Sequence, residues 1–183
     1  RRLKPTKFEQ LIVMNALYRP GPLGAGILND YIERAHNKEK ISYLIDDLKE
    51  ILEETLGVIV YQEQVMQIAN KIAGFSLAEA DLLRQAISKK NQEKMRILEQ
   101  KFRKGAQENK YKNEVIDQLI EQIKYFGGYG FNKSHSAAYA LVAYWTGYLK
   151  AHYPTEYMAA TLSNSMDKTE DIIKYMNSCT ENG

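Results

Sequence analysis

Cysteine is nearly missing from this chain: Cys179 is the single one in 183 residues. No internal disulfide and no cysteine-rich zinc site can form, and a lone thiol suits a reducing compartment. Near a frayed end and without an adjacent base, Cys179 does not read as a nucleophile. Histidine is sparse too, and the three, His36, His135 and His152, are too scattered for a zinc site. The carboxylates fall mostly at solvent-face spacing on amphipathic segments, so no clustered metal site is expected. No apolar run is long enough to span a membrane, and nothing resembles a signal peptide. Neither sign of charge dominates: 25 Lys and Arg against 23 Asp and Glu leave +2, which names no partner. The chain also begins Arg-Arg-Leu-Lys without methionine, so it is expected to be a piece of a longer protein.

What is present suits a globular chain. Hydrophobic residues make up 44% and charged ones 26%, and 21.1 kDa allows one domain with a core or two small ones. The pattern is a succession of helices, so the class is all-α. Thr6-Lys7-Phe8-Glu9 is a capping box before Leu11, Ile12 and Met14, and Tyr18-Arg19-Pro20-Gly21-Pro22 enforces a rigid turn. Short helices are expected over 27–35 and 44–55, the second with Leu44, Leu48, Ile51 and Leu52 on one stripe. Val58–Tyr61 is β-prone but has no second strand, and reads as an extended connector into a helix over 62–73. Ser76-Leu77-Ala78-Glu79 is a second box, with Leu77, Ala80, Leu83 and Ile87 on one face and Arg84 off it. Asn91 and Asn113 are expected to cap the next two helices, the latter carrying Val115, Ile116, Leu119, Ile120 and Ile123. A helix from Ser136 must stop near Tyr153, because Pro154 disfavours helical geometry before it. Two more follow, over about 155–163 and, after a box at Asp167–Glu170, to about Ser178.

The stretch Phe126–Pro154 is the most informative. Gly127, Gly128 and Gly130 precede Asn132, Lys133, Ser134 and His135, directly before a helix. Glycines let a ligand approach closely, and a helix start offers unpaired N–H groups and partial positive charge. With Lys133 and His135 there, the segment suits a phosphate; the alternative is a flexible loop followed by an N-cap at Ser134. A second cluster, Arg84, Ser88, Lys89 and Lys90, ends a helix, where lysines also complement the dipole. Asp81 can pair with Arg84 at i,i+3. From Lys89 to Lys112 nine Lys or Arg meet three Glu, a local net of +6, while 44–64 carries −5. The basic run attracts a phosphate backbone or simply faces water. Among the aromatics, Trp145 and Tyr148 read as core. Tyr139, one turn after His135, is open to either core packing or base stacking.

Four motifs then converge: Asn15-Ala16-Leu17-Tyr18-Arg19-Pro20-Gly21-Pro22; Gly57-Val58-Ile59-Val60-Tyr61-Gln62-Glu63-Gln64-Val65-Met66; Ala73-Gly74-Phe75-Ser76-Leu77-Ala78-Glu79-Ala80-Asp81-Leu82-Leu83-Arg84; and Gly128-Tyr129-Gly130-Phe131-Asn132-Lys133-Ser134-His135. In this order they resemble the fingers region of the bacterial DNA polymerase III alpha subunits, the family C replicative polymerases, over about residues 3–168. The resemblance implies a helical fingers domain over 1–183, with 1–25 approaching from a palm and 165–183 a C-terminal helical tail. It implies a DNA-directed DNA polymerase as parent, with catalytic aspartates and Mg²⁺ in that palm, and no cofactor and no catalytic residue here. Incoming dNTP phosphates would meet Arg84, Lys133, His135, Lys89, Lys90, Asn132 and Ser134. Tyr139 and Phe131 would line the pocket, and Arg19, Lys101, Arg103 and Lys104 would meet the DNA backbone. Gln85 stands where the family commonly has a second arginine, and Ile87-Ser88 where it commonly has Met-Gly. The implied partners are template–primer DNA, the palm of the same chain, a sliding clamp and other replisome subunits, in the bacterial cytoplasm at the nucleoid, with no membrane. A helical nucleic-acid-binding or interaction module without polymerase activity is the alternative.

Overall fold

A computed structural model describes residues 2–182, apart from the side chains at 126–127 and 181–182. Among the described residues the regular structure is helical, with one isolated bridge, as an all-α chain should be. The helices are α1 (Phe8–Leu17), α2 (Pro20–Gly24), α3 (Ile27–His36), α4 (Lys49–Leu52), α5 (Gln62–Ala73), α6 (Leu77–Ser88), α7 (Gln92–Glu108), α8 (Asn113–Gly127), α9 (Lys133–His152), α10 (Pro154–Ser163) and α11 (Thr169–Asn182). The chain divides into two compact units, residues 1–137 and 138–183.

The first unit is built around α5. Its Val65, Ile68, Ala69 and Ile72 are buried at helical spacing. Against them pack Ala80, Leu83 and Ile87 of α6, Phe102 and Ala106 of α7, and Ile116, Leu119, Ile120 and Ile123 of α8. Each fully buried side chain of this kind contributes about 1.5–3 kcal/mol. Phe75 and Phe102 add an edge-to-face pair with centroids 6.1 Å apart. The packing of α7 on α5 is close because Gly105 has no side chain: a Cβ there would lie 2.0 Å from the Ala73 carbonyl oxygen. In the second unit α10 and α11 pack together after the remainder of α9.

The caps differ from expectation by a residue or two. Lys7, not Thr6, precedes α1, and Gln10 rather than Glu9 reaches back, its Oε1 accepting from Thr6 N (2.7 Å) and Lys7 N (3.2 Å). The Ser76–Glu79 box forms as expected, and Asn91 caps α7. Asn113 is inside α8; the Lys112 carbonyl takes the first bonds instead. Pro20 sits at the first position of the one-turn α2, so the Pro-Gly-Pro turn becomes helical, as a preset φ allows. The 44–55 stripe breaks into 3₁₀ turns on either side of α4, yet Leu48 and Leu52 are still buried. The break follows from the exit, where Leu56 and Gly57 both take positive φ (56° and 83°). Leu77, in the first turn of α6, is 74% exposed, and Ala86 joins the buried face instead. Trp145 and Tyr148 are not core: they are 56% and 46% exposed, because α9 is apolar on more than the one face its own unit covers.

Gly105→Ala is expected to lower the melting temperature, by the equivalent of about 1–3 kcal/mol or more. Helix propensity favours alanine by about 1 kcal/mol, so the sign itself is informative. A variant as stable as wild type would show that α5 and α7 are not in backbone contact at this point.

Candidate functional site

The site begins with a pairing that the β-prone segment was not expected to make. Val58, Ile59, Val60 and Tyr61 are all buried. Tyr61 forms a parallel bridge with Phe131: Phe131 N donates to Val60 O (3.1 Å) and Gln62 N to Phe131 O (3.0 Å). Two helix starts, of α5 and α9, are thereby set side by side.

The loop between α8 and α9 is clamped by three side chains besides the bridge to Tyr61. The Arg19 guanidinium donates to Tyr129 O, and its Cζ lies 4.7 Å from the Phe131 ring centroid. Gln62 donates to Gly130 O at 3.3 Å. The Glu63 carboxylate accepts from Asn132 Nδ2 (3.0 Å) and Lys133 N (3.1 Å). Gly21 leaves room for the Tyr129 ring, which would lie 2.9 Å from a Cβ there. Gly127 ends α8, and its surroundings lie outside the described residues.

Asn132, not Ser134, caps α9: its Oδ1 accepts from His135 N at 2.8 Å. An Asx side chain caps as well as a serine and stands one residue ahead of the helix start. Ser134 and His135 are therefore in the first turn of α9, and the His135 ring meets Phe131 edge-on, 5.4 Å between centroids. Ser136 is buried and donates to Ile12 O (2.5 Å), fixing this turn to α1. Lys133 does not point at open solvent alone. Its Nζ is 2.6 Å from Glu54 Oε2 and 5.6 Å from the Tyr61 ring centroid. Tyr139, one turn further along α9, belongs to the second unit and is 58% exposed there.

Arg84 reaches the same loop from α6. Its Nε donates to Asp81 Oδ1 (2.7 Å) and its Nη1 to Gln62 Oε1 (3.3 Å). Gln85 donates to the other Asp81 oxygen at 2.7 Å. These two donors hold the Asp81 carboxyl below the usual carboxylate range, Arg84 contributing most. Gln62, Val65, Arg84, Ile87, Ser88 and Gly130 line a small crevice. Lys89 and Lys90 are exposed just beyond α6, Lys90 at a positive φ of 52°.

The basic run on α7 is more neutralised than its net charge suggests. Lys101 pairs with Glu79, Arg103 with Asp117 and Glu99, and Lys104 with Glu108 at 3.9 Å. Glu99 also takes Lys124 at 2.6 Å. Arg19 is turned onto the loop, and burial lowers its pKa. Among the described residues no group of three or more His, Cys, Asp or Glu side chains could hold a metal ion, and no helix is long and apolar enough to cross a membrane.

A glycine loop is thus held beside two helix starts, with an arginine fork near it on a third helix. The family model described as bacterial DNA polymerase III alpha subunit finger domain matches residues 1–110. The chain is 51% identical over 175 residues to DNA polymerase III subunit alpha of Campylobacter jejuni, covering 96% of this chain and 15% of that one. It is 47% identical to the subunit of Vibrio cholerae and 46% to that of Escherichia coli K12, each over 188 residues, all of this chain and 16% of those. The chain belongs to the finger-domain family of the bacterial DNA polymerase III alpha subunits. It spans about one sixth of the length of these relatives.

The sequence names Arg84, Lys133 and His135 but not what holds the first two, Gln62 for Arg84 and Glu63 and Glu54 for Lys133, nor Gln64, which fixes the connector before them. The signal was there, three polar residues in succession at a helix start, Gln62-Glu63-Gln64, each aimed along a different direction.

Glu79 offers a check on the ion pairs. The Lys101 hydrogen bond, with the Ser76 cap, lowers its pKa from the ordinary 4.5 to about 2. A depressed acid adds stability above its unfolded value and loses it as pH falls toward the folded one. Glu79→Gln keeps the box geometry but has no charge. It is expected to lose less stability than wild type on acidification from about 4.5 to 2, followed by thermal melting, with the difference shrinking at high salt. Parallel pH profiles would show that Lys101 does not hold Glu79.

Proposed function

We propose that this chain forms the nucleotide-facing side of a DNA-directed DNA polymerase, receiving the incoming dNTP triphosphate and the template–primer end. The observation that supports this most is the Gln62 junction, which brings the Arg84 fork to the glycine loop opening α9. Phosphoryl transfer depends mainly on positioning and charge neutralisation, and a planar fork beside a helix start suits phosphate oxygens. Arg84 keeps its Nη2 group available after its bonds to Asp81 and Gln62. Asn132, Ser134 and His135 shape the first turn of α9, Phe131 serves as a pocket wall, and Lys89 and Lys90 add positive charge at the edge.

In this reading the two-metal chemistry, with Mg²⁺, belongs to palm aspartates outside the chain, and no step is assigned to a metal held by these residues. Template–primer contacts fall to α7, where Lys104 is the most exposed of the named cations, with Lys101, Arg103 and Arg19 exchanging internal partners for phosphates. The palm, a sliding clamp and other replisome subunits are partners of the whole polymerase, which works in the bacterial cytoplasm at the nucleoid.

A structural role for Lys133 is favoured by one specific contact, the 2.6 Å pair with Glu54. The two roles give opposite signatures in the full-length polymerase. Arg84→Ala is expected to raise the Michaelis constant for dNTP and lower kcat/KM about tenfold or more, the loss of a charged hydrogen bond. Lys133→Ala is expected to cut single-nucleotide incorporation while leaving template–primer affinity nearly intact. Wild-type incorporation by Lys133→Ala, with a melting temperature lowered as much as in Glu54→Gln, would assign Lys133 to the fold. Wild-type kinetics for Arg84→Ala would end the phosphate-site reading.

A further inference from the structure

We propose that Gln62 is a positioning residue for Arg84, holding its guanidinium in register with the Gly130 carbonyl at the loop that opens α9. The inference rests on the phosphate-facing role of Arg84 proposed above.

Gln62 is the first residue of α5, where its backbone N–H has no partner within the helix. The Phe131 carbonyl takes that N–H at 3.0 Å, so the residue is fixed at its root. Its side chain then works as a two-sided bridge. Oε1 accepts from Arg84 Nη1 (3.3 Å), while Nε2 donates to Gly130 O (3.3 Å) and meets Ser88 Oγ (3.5 Å). One amide therefore connects the end of α6 to the glycine loop.

The chemistry of the bridge is selective. It must accept from a cation and donate to a carbonyl at once, which a neutral amide does and a carboxylate cannot. Glutamate would leave Gly130 O without its donor and would add a second carboxylate, besides Asp81, against Arg84. Asparagine is shorter by one methylene. The bond geometry also says how Arg84 is used. Asp81 takes Nε and Gln62 takes one N–H of Nη1, and the side chain is still 29% exposed. The fork is fixed on its inner edge and open on its outer one. A long arginine side chain has rotamer entropy to lose on being fixed. Fixing it before a ligand arrives removes that loss from the binding step. Ser88 Oγ lies 3.5 Å from the same amide nitrogen, at the outer limit of a hydrogen bond.

The test is a double-mutant cycle in the full-length polymerase, with steady-state single-nucleotide incorporation as readout and melting as a control for folding. Gln62→Ala is expected to raise KM for dNTP about three- to tenfold, the size of one lost hydrogen bond, with a smaller change in kcat. Gln62→Glu, of equal size, is expected to raise KM further. Combined with Arg84→Ala, Gln62→Ala is expected to add little, because a residue acting through Arg84 has nothing left to position. Multiplicative effects in the double variant, or a wild-type KM in Gln62→Glu, would overturn the inference while leaving the phosphate role of Arg84 standing. An Arg84→Ala polymerase with wild-type kinetics would remove both.

Discussion

The buried amide of Gln64 is the constraint on which the rest of the first unit depends. The connector 58–61 runs through the core without a sheet to satisfy it, and a buried backbone polar group left unpaired costs about 1–3 kcal/mol. Gln64 Oε1 accepts from Val60 N (2.8 Å) and Tyr61 N (3.0 Å), while its Nε2 donates to Thr55 Oγ1 (2.8 Å) and Ile51 O (3.2 Å). The Thr55 hydroxyl in turn donates to Val58 O at 2.6 Å. Among the groups this network leaves are the Val60 carbonyl and the Gln62 N–H, and Phe131 supplies partners for both. The loop before α9 is thus drawn in by the backbone groups the amide leaves over.

From that anchor the first turn of α5 distributes its side chains by helical geometry, successive residues turning about 100° apart. Gln64 points back into the core, Gln62 toward α6 and Gly130, and Glu63 toward the start of α9. Glu63 there accepts from the Lys133 N–H and the Asn132 amide, a carboxylate at the positive end of a helix. The three candidate parts of the site, Arg84, the glycine loop and Lys133, are arranged by one turn of one helix that carries none of them.

Much of this was legible in the sequence. Helical period gave the class, the face of α8 and, Leu77 apart, that of α6, because a buried stripe must recur every three or four residues, and Pro154 gave the stop of α9. The Ser76 and Asn91 caps were legible because capping is local chemistry. The errors share one cause, that local pattern does not say what lies across from it. Val58–Tyr61 finds its partner seventy positions away at Phe131. Ser134 loses the cap to Asn132, because the helix entry is set by Glu63 and the bridge. Trp145 and Tyr148 have core composition but no cover within their own unit. The basic run on α7 counts as +6 along the chain, but Lys101, Arg103 and Lys104 meet carboxylates of α6, α7 and α8.

The two cations at the centre of the site are held differently, and the difference has a direction. Arg84 is gripped on its inner edge by Asp81 and by a neutral amide, so its outer N–H groups can meet an anion with no contact broken. The Lys133 ammonium, a point charge, rests on Glu54, and a phosphate reaching it must share or displace that carboxylate. A triphosphate carries several charges against the carboxylate's one, and Coulomb attraction at a half-buried pair is several times its strength in bulk water. Under the proposed function, an anion would reach Arg84 without breaking a contact and Lys133 only by sharing or displacing Glu54. In that reading the pre-set cation stands on α6 and the cation that would exchange partners stands at the start of α9.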